Sequence, residues 1–230
     1  ATITRYFSRL EPGKTAPPPV VTLEQKQMAE QRMYAEAETQ PQVEIRYHTV
    51  PAMHKDSYAL DMMASLLNGR TGRLYKSMVE GSGIASSASA QQESRKYAGL
   101  FAFSADTKGD ATPQQLEEAW YAELKKLQTE PVPEKELQKV KNQSAADSYR
   151  RLQNNFFLMI QLAYAEALGD WSEINAQNAK LQAVTAEDIQ RVANKYFGKD
   201  NRSVAVFTRK ATAAPAADPE LAEVPGPMQA

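Results

Sequence analysis

Three groups of residues in this chain have types and spacings that invite a chemical reading: two imidazoles, a run of serines and a set of glycines. His48 and His54 are the only histidines. A helical zinc pair needs imidazoles one turn apart with a glutamate at hand. These two stand six positions apart across Pro51, and no Glu/His set converges on them, so they read as edge or loop histidines. Serines crowd positions 82–89, but a serine nucleophile needs a base and an oxyanion pocket. No G-x-S-x-G sequence occurs. Gly69, Gly72, Gly81 and Gly83 could cradle a phosphate, yet the lysine–hydroxyl ending of a P-loop is missing. Lys55, Lys76 and Lys96 read as solvated charges.

Composition narrows the classes further. The chain has 27 Lys and Arg against 28 Asp and Glu, a net charge of -1, so no overall field recruits nucleic acid or an anionic membrane. Without cysteine there is no thiolate chemistry, disulfide or thiolate-bound metal. That composition suits periplasm and cytoplasm alike. No apolar run approaches the roughly 20 residues of a membrane span. The opening ATITRYFSRL has neither an initiator methionine nor the apolar core of a signal peptide, which is expected of a processed or truncated parent.

The elements that must position these residues follow from periodicity. Arg32–Ala37 and Val43–Val50 have strand character, interrupted near Gln40-Pro41. Asp56–Asn68 predicts a helix with Ala59, Met62, Met63, Leu66 and Leu67 on one face, closed by a left-handed Gly69. A shorter helix over Gly72–Glu80 places Leu74, Tyr75 and Met78 on its apolar side. Small residues over Ile84–Ala90, then Tyr97–Ala105 with Phe101 and Phe103 on one face, predict two more strands. Thr112-Pro113-Gln114-Gln115 is a capping box leading into Leu116, Trp120, Leu124 and Leu127. Another helix starts near Pro133, and the stretch to Leu168 reads as one long helix with Leu152, Phe156, Met159, Ala163 and Ala167 on its face. Asp170 starts a short helix, Thr185 and Asp188 cap Ile189–Phe197, and Arg202–Thr208 is a final strand. The aromatics Tyr75, Phe101, Phe103, Trp120, Phe156 and Phe157 are expected in the core.

Two features divide the chain. Arg5-Tyr6-Phe7 and Lys195-Tyr196-Phe197 echo one another, each at the end of a predicted helix. Residues 1–20 are therefore read as the tail of a preceding domain plus a proline-rich linker, and 21–210 as the domain proper. Residues 211–230, rich in Ala and Pro, form an expected flexible tail.

The ordered words Leu66-Leu67-Asn68-Gly69, Gly72-Arg73-Leu74-Tyr75 and Gly83-Ile84-Ala85 carry a resemblance. Together with the proline linker and Val204-Ala205-Val206, they make the chain similar to the C-terminal half of an M16 peptidase subunit, the pitrilysin or mitochondrial-processing-peptidase-like family. The resemblance implies an α+β fold, a mixed or antiparallel sheet covered by helices. It also implies a chamber shared with a second half that supplies zinc through an HxxEH helix. This chain has no HxxEH, so no cofactor is expected in it, and zinc belongs only to a partner domain or subunit.

Active members often carry an arginine and, seven residues later, a tyrosine that orients peptide. The matching positions here are Val79 and Ser86, which offer neither guanidinium nor phenol. The expected role is thus a noncatalytic domain that completes the chamber and docks polypeptide for a zinc-bearing M16-type partner. The alternative is a structural or protein-interaction subunit with no peptidase role. A homo- or hetero-oligomeric assembly is compatible with both. Candidate docking residues are Arg73, Ile84, Ala85, Ser86 and Ser87. Arg73 can instead serve structure by pairing with Glu80 or capping a helix end, while the strand can pair with an extended peptide through backbone groups alone.

Overall fold

The computed structural model describes residues 2–11, 13–15, 18–19 and 25–210. The proline-rich linker lies partly, and the tail 211–230 wholly, outside the described residues. A short helix α1 (Thr2–Phe7) comes first, exposed along its length. Five strands follow: β1 (Gln31–Ala37), β2 (Gln42–Thr49), β3 (Ala85–Ser94), β4 (Gly99–Thr107) and β5 (Arg202–Arg209). They form one mixed sheet in the order β1-β5-β2-β4-β3, in which only the β1–β5 pair is parallel.

Alternation in the strands decides which face is covered. Val43, Ile45 and Tyr47 of β2 and Phe101, Phe103 and Ala105 of β4 are buried, while their neighbours Arg46 and Ser104 are exposed. Helices pack on the buried side. These are α2 (Asp56–Leu67), α3 (Pro113–Thr129), α4 (Glu134–Leu152), α6 (Glu173–Ala183) and α7 (Ala186–Tyr196). Both predicted capping boxes form: Thr112 with Gln115 opens α3, and Thr185 with Asp188 opens α7. Leu116, Trp120, Leu124 and Leu127 all point into the core.

The stretches 32–37 and 43–50 form two strands, and β5 enters between them. Two expectations change. The single long helix to Leu168 is two, α4 and α5 (Asn155–Leu168). The break falls at Gln153-Asn154, where Asn154 Oδ1 accepts the backbone N–H groups of Phe156 at 2.9 Å and Phe157 at 3.3 Å. Asparagine competes with the helical backbone for its own donors and so starts a new helix here. Phe156 and Phe157 are exposed rather than core, as is Met159. Their periodic spacing reported helicity correctly, but α5 packs mainly on α4 and α6, and none of its residues is buried.

Candidate functional site

The segment from 68 to 94 joins α2 to the edge of the sheet. Gly69 takes φ 80°, closing α2 as expected. Gly72 folds back, its N–H donating to the Gly69 carbonyl at 2.9 Å. A Cβ at Gly72 would strike the backbone carbonyls of Asn68 and Leu67, which cannot move independently of α2. Gly72→Ala is accordingly expected to cost about 2 kcal/mol through forced backbone displacement. Thermal denaturation reads that loss, and faster amide exchange at Ala90 would report the displacement of Asn68.

The following helix winds as a π-helix over Tyr75–Gly81, and Ser82 N–H donates to Ser77 O at 2.9 Å, five residues back. Leu74 and Met78 are buried and Tyr75 is half-buried. Arg73 does not pair with Glu80. Its guanidinium makes two bonds to Glu136 at the start of α4, at 2.9 and 2.7 Å. This fork-to-carboxylate geometry is specific as well as strong, and it clamps the π-helix to α4.

The docking candidates stand as follows. Ile84 is half-buried against the core and its carbonyl accepts from Lys108 N–H at 2.9 Å. Ala85 is buried, and an irregularity in the β3–β4 pairing lies between Ala85 and Ser87. Ser86 and Ser87 are exposed beside it. Ser86 Oγ donates to Thr107 O at 3.1 Å, and Ser87 Oγ to Asp106 Oδ2 at 2.6 Å. Val79, at the position matched to the arginine, packs against the core. Arg73 lies on the α4 side, so these five residues share one segment without converging on one point.

β3 is an edge strand, paired only with β4. Ala90 donates its N–H to Asn68 Oδ1 at 2.9 Å and accepts the Asn68 side-chain amide on its carbonyl. Both Ala90 backbone groups therefore face away from β4. In an antiparallel ladder the outward positions alternate, so the edge groups of Ala88 and Gln92 are outward too. Asn68 acts as a one-residue strand mimic at the middle of the edge, and among the described residues nothing else pairs with the outward groups of Ala88 and Gln92.

Neither histidine is placed to hold zinc. His54 Nδ1 accepts the Asp56 backbone N–H at 3.0 Å, and His48 Nε2, on β2, lies 3.0 Å from Gln27 Oε1. Among the described residues no group of three or more His, Cys, Asp or Glu could hold a metal ion. No helix among them is long and apolar enough to cross a membrane.

The edge strand β3 and the mixed sheet beneath its helices have counterparts among known proteins. Residues 1–144 match the family model described as the peptidase M16 inactive domain. The chain belongs to that family. A zinc protease, PqqE, of Helicobacter pylori is 28% identical over 164 residues, covering 70% of this chain and 37% of that protein. The solved structure of a protease from Helicobacter pylori superposes with TM-score 0.84 at 22% identity, over 89% of this chain and 51% of that one. An inactive peptidase domain from Bordetella parapertussis gives TM-score 0.69 at 25% identity, over 79% of this chain and 98% of that one. This M16 inactive domain thus spans about a third of its curated relative's length and half of the solved Helicobacter chain, and nearly all of the Bordetella domain.

Sequence reasoning passed over two residues of this M16 domain. Asn68 and Asp61 lie on one stripe of α2 with Ser65, at i, i+4 and i+7 from Asp61. Every other residue of α2 is buried. A polar stripe at helical spacing beyond the first turn was the available signal, and at its end Asn68 meets the β3 edge.

Proposed function

We propose that this M16 inactive domain completes a peptide chamber and docks extended polypeptide for cleavage by a zinc-bearing M16-type domain or subunit, contributing no catalytic group itself. The observation that carries the reading is the open edge of β3. Backbone N–H and C=O groups on a sheet edge pair with any extended chain, so docking requires no particular side chain and tolerates Val79 and Ser86 in place of an arginine–tyrosine pair. In this reading Ile84–Ala88 forms one docking stretch, with Ser86 and Ser87 at its irregular end and Arg73 holding the π-helix behind it. The protein names of its relatives support a proteolytic setting. The residues present do not fit zinc, so the metal belongs to the partner. Residues 1–20 then read as the end of a preceding domain and a linker, and 21–210 as the docking domain.

The test combines this chain, its full parent and zinc-bearing M16 subunits with extended peptides, with and without chelator. Cleavage is expected only when a zinc-bearing half is present, and chelator removes it. Activity from the purified chain alone would overturn the noncatalytic assignment. Ala88→Pro probes the edge directly, since it deletes one outward N–H and no β4 ladder bond, a change edge strands tolerate. It is expected to weaken peptide binding about tenfold with the unfolding midpoint nearly unchanged. Unaltered binding would move docking to β1, the sheet's other edge.

A purely structural or interaction role is the second reading. The exposed face of α5, with Phe156, Phe157, Ile160 and Tyr164, favours it, since contiguous apolar surface of this kind marks a protein contact. A stable complex that cleaves nothing in any combination would decide for this second role.

A further inference from the structure

Beside the second open stretch of the β3 edge, Gln92–Ser94, lies a cleft of about 490 Å³ bounded by α2, α5 and α6. Its walls are largely uncharged: Met53, Tyr164, Leu168 and Ile174 line it along with the β3 edge. Asp61 enters it from the polar stripe of α2. The Asp61 side chain is half-buried and has no hydrogen-bond or ion-pair partner among the described residues. A carboxylate withdrawn from water without a partner is costly.

The other charges around the cleft are already engaged or stand at its rim. Glu173 is held by Lys180 at 2.6 Å and accepts from the Tyr58 hydroxyl at 2.6 Å. Arg95 pairs with Glu93 at 3.1 Å. Arg151 is exposed at the end of α4, and neither it nor Arg95 forms an ion pair with Asp61. Among the described residues, Asp61 is therefore the lining carboxylate whose charge is unmet.

We propose that the cleft receives a lysine or arginine side chain from a polypeptide paired with the Gln92–Ser94 edge of β3, with the Asp61 carboxylate as its counter-charge. The proposal rests on strand-edge docking. Strand addition fixes the peptide backbone beside the cleft, and outward positions of an added strand present alternate side chains to the same side. A long cationic side chain lays its methylenes against the aromatic and aliphatic wall and carries its charge to the acid. Burial without a partner also pushes the Asp61 carboxyl up to about 7, so the counter-charge is complete only above neutral pH.

The test measures fluorescence anisotropy of two labelled extended peptides, identical except for lysine or norleucine at one central position, with the 230-residue chain. At about pH 8 the lysine peptide is expected to bind about tenfold tighter. Asp61→Asn removes that preference without weakening the norleucine peptide. The preference also fades as pH falls through about 7 and Asp61 takes up its proton. The variant should fold and raise the unfolding midpoint at about pH 8. A raised folded-state acid pKa means the stability it lends at low pH is lost as pH rises through that value. Equal binding of both peptides, each lost when the peptide backbone is N-methylated, would overturn the basic-side-chain assignment and leave edge docking standing. A lysine preference that survives in Asp61→Asn would overturn the role of Asp61. Absence of binding by either peptide would overturn both the subsite and the docking on which it rests.

Discussion

Trp120→Ala is expected to lower the stability of this domain by about 4 kcal/mol, among the largest losses available to one substitution in it. Trp120 sits at the centre of the helix–sheet interface with no exposed surface. Its ring stacks on Phe103 with centroids 4.6 Å apart and planes 11° apart, and it approaches Phe101 at 6.3 Å. Its Nε1–H donates to the Tyr47 hydroxyl at 3.1 Å. Alanine would open a cavity between α3, β2 and β4 that a rigid sheet cannot close. It would also remove the indole donor from the buried Tyr47 hydroxyl, leaving Arg202 as its neighbour, a separate cost of about 1 kcal/mol. Thermal denaturation should show a midpoint lower by on the order of 10 °C. Fluorescence checks the site independently: Trp171, the other tryptophan, is exposed, so the variant should lose the blue-shifted emission of a buried indole. A midpoint within a few degrees of the parent would show that the aromatic stack does not hold α3 to the sheet.

Asp56→Ala should cost about 3 kcal/mol by a different mechanism, the loss of a buried ionic junction. Asp56 is fully buried in the first turn of α2. Its carboxylate meets Arg191 at 2.8 Å and Lys195 at 3.1 Å, and accepts the Tyr196 hydroxyl at 2.6 Å, all from α7. The helix dipole of α2 adds to this, since a negative charge at a helix N-terminus is favoured. Burial is the largest single influence on the Asp56 carboxyl and works against its charge. The Tyr196, Arg191 and Lys195 bonds together outweigh it and hold the pKa well below the carboxylate range. Because the folded pKa is depressed, the stabilisation is present in full above the unfolded value of about 4 and is lost as pH falls toward the folded one. Chemical denaturation of parent and variant should therefore show a wide stability gap at neutral pH that narrows in acid. A gap independent of pH would mean the junction acts through packing alone.

Both junctions lie away from the irregular β3 edge. The sheet is held from its covered face by α3 through Trp120, and α2 is held by α7 through Asp56. Neither involves β3, whose outward edge groups meet only Asn68 among the described residues.

Much of this architecture was legible locally. Thr112–Gln115 and Thr185–Asp188 announce helix starts because a cap and its return bond lie within four residues. Val43, Ile45 and Tyr47 announce a half-buried strand by alternation, and Gly69 announces the end of α2 by its backbone freedom. The missing HxxEH, and Val79 and Ser86 at the arginine–tyrosine positions, are also facts of sequence alone. What tertiary structure decided is partnership. Arg73 took Glu136, 63 positions away, over nearby Glu80, because folding sets the start of α4 beside it. Asp56 found its three partners 135 to 140 positions along the chain. Phe156 and Phe157 kept helical spacing yet stayed outside the core, since periodicity specifies a face and not what covers it. The β3 strand was readable from its own residues, but its place at the edge depended on β5 pairing with β1 and β2 at the other side of the sheet. Local patterns encode elements because caps and periods act within a few residues. Edges, clefts and unmet charges arise only when distant elements take their places, and the candidate site of this domain is made of those.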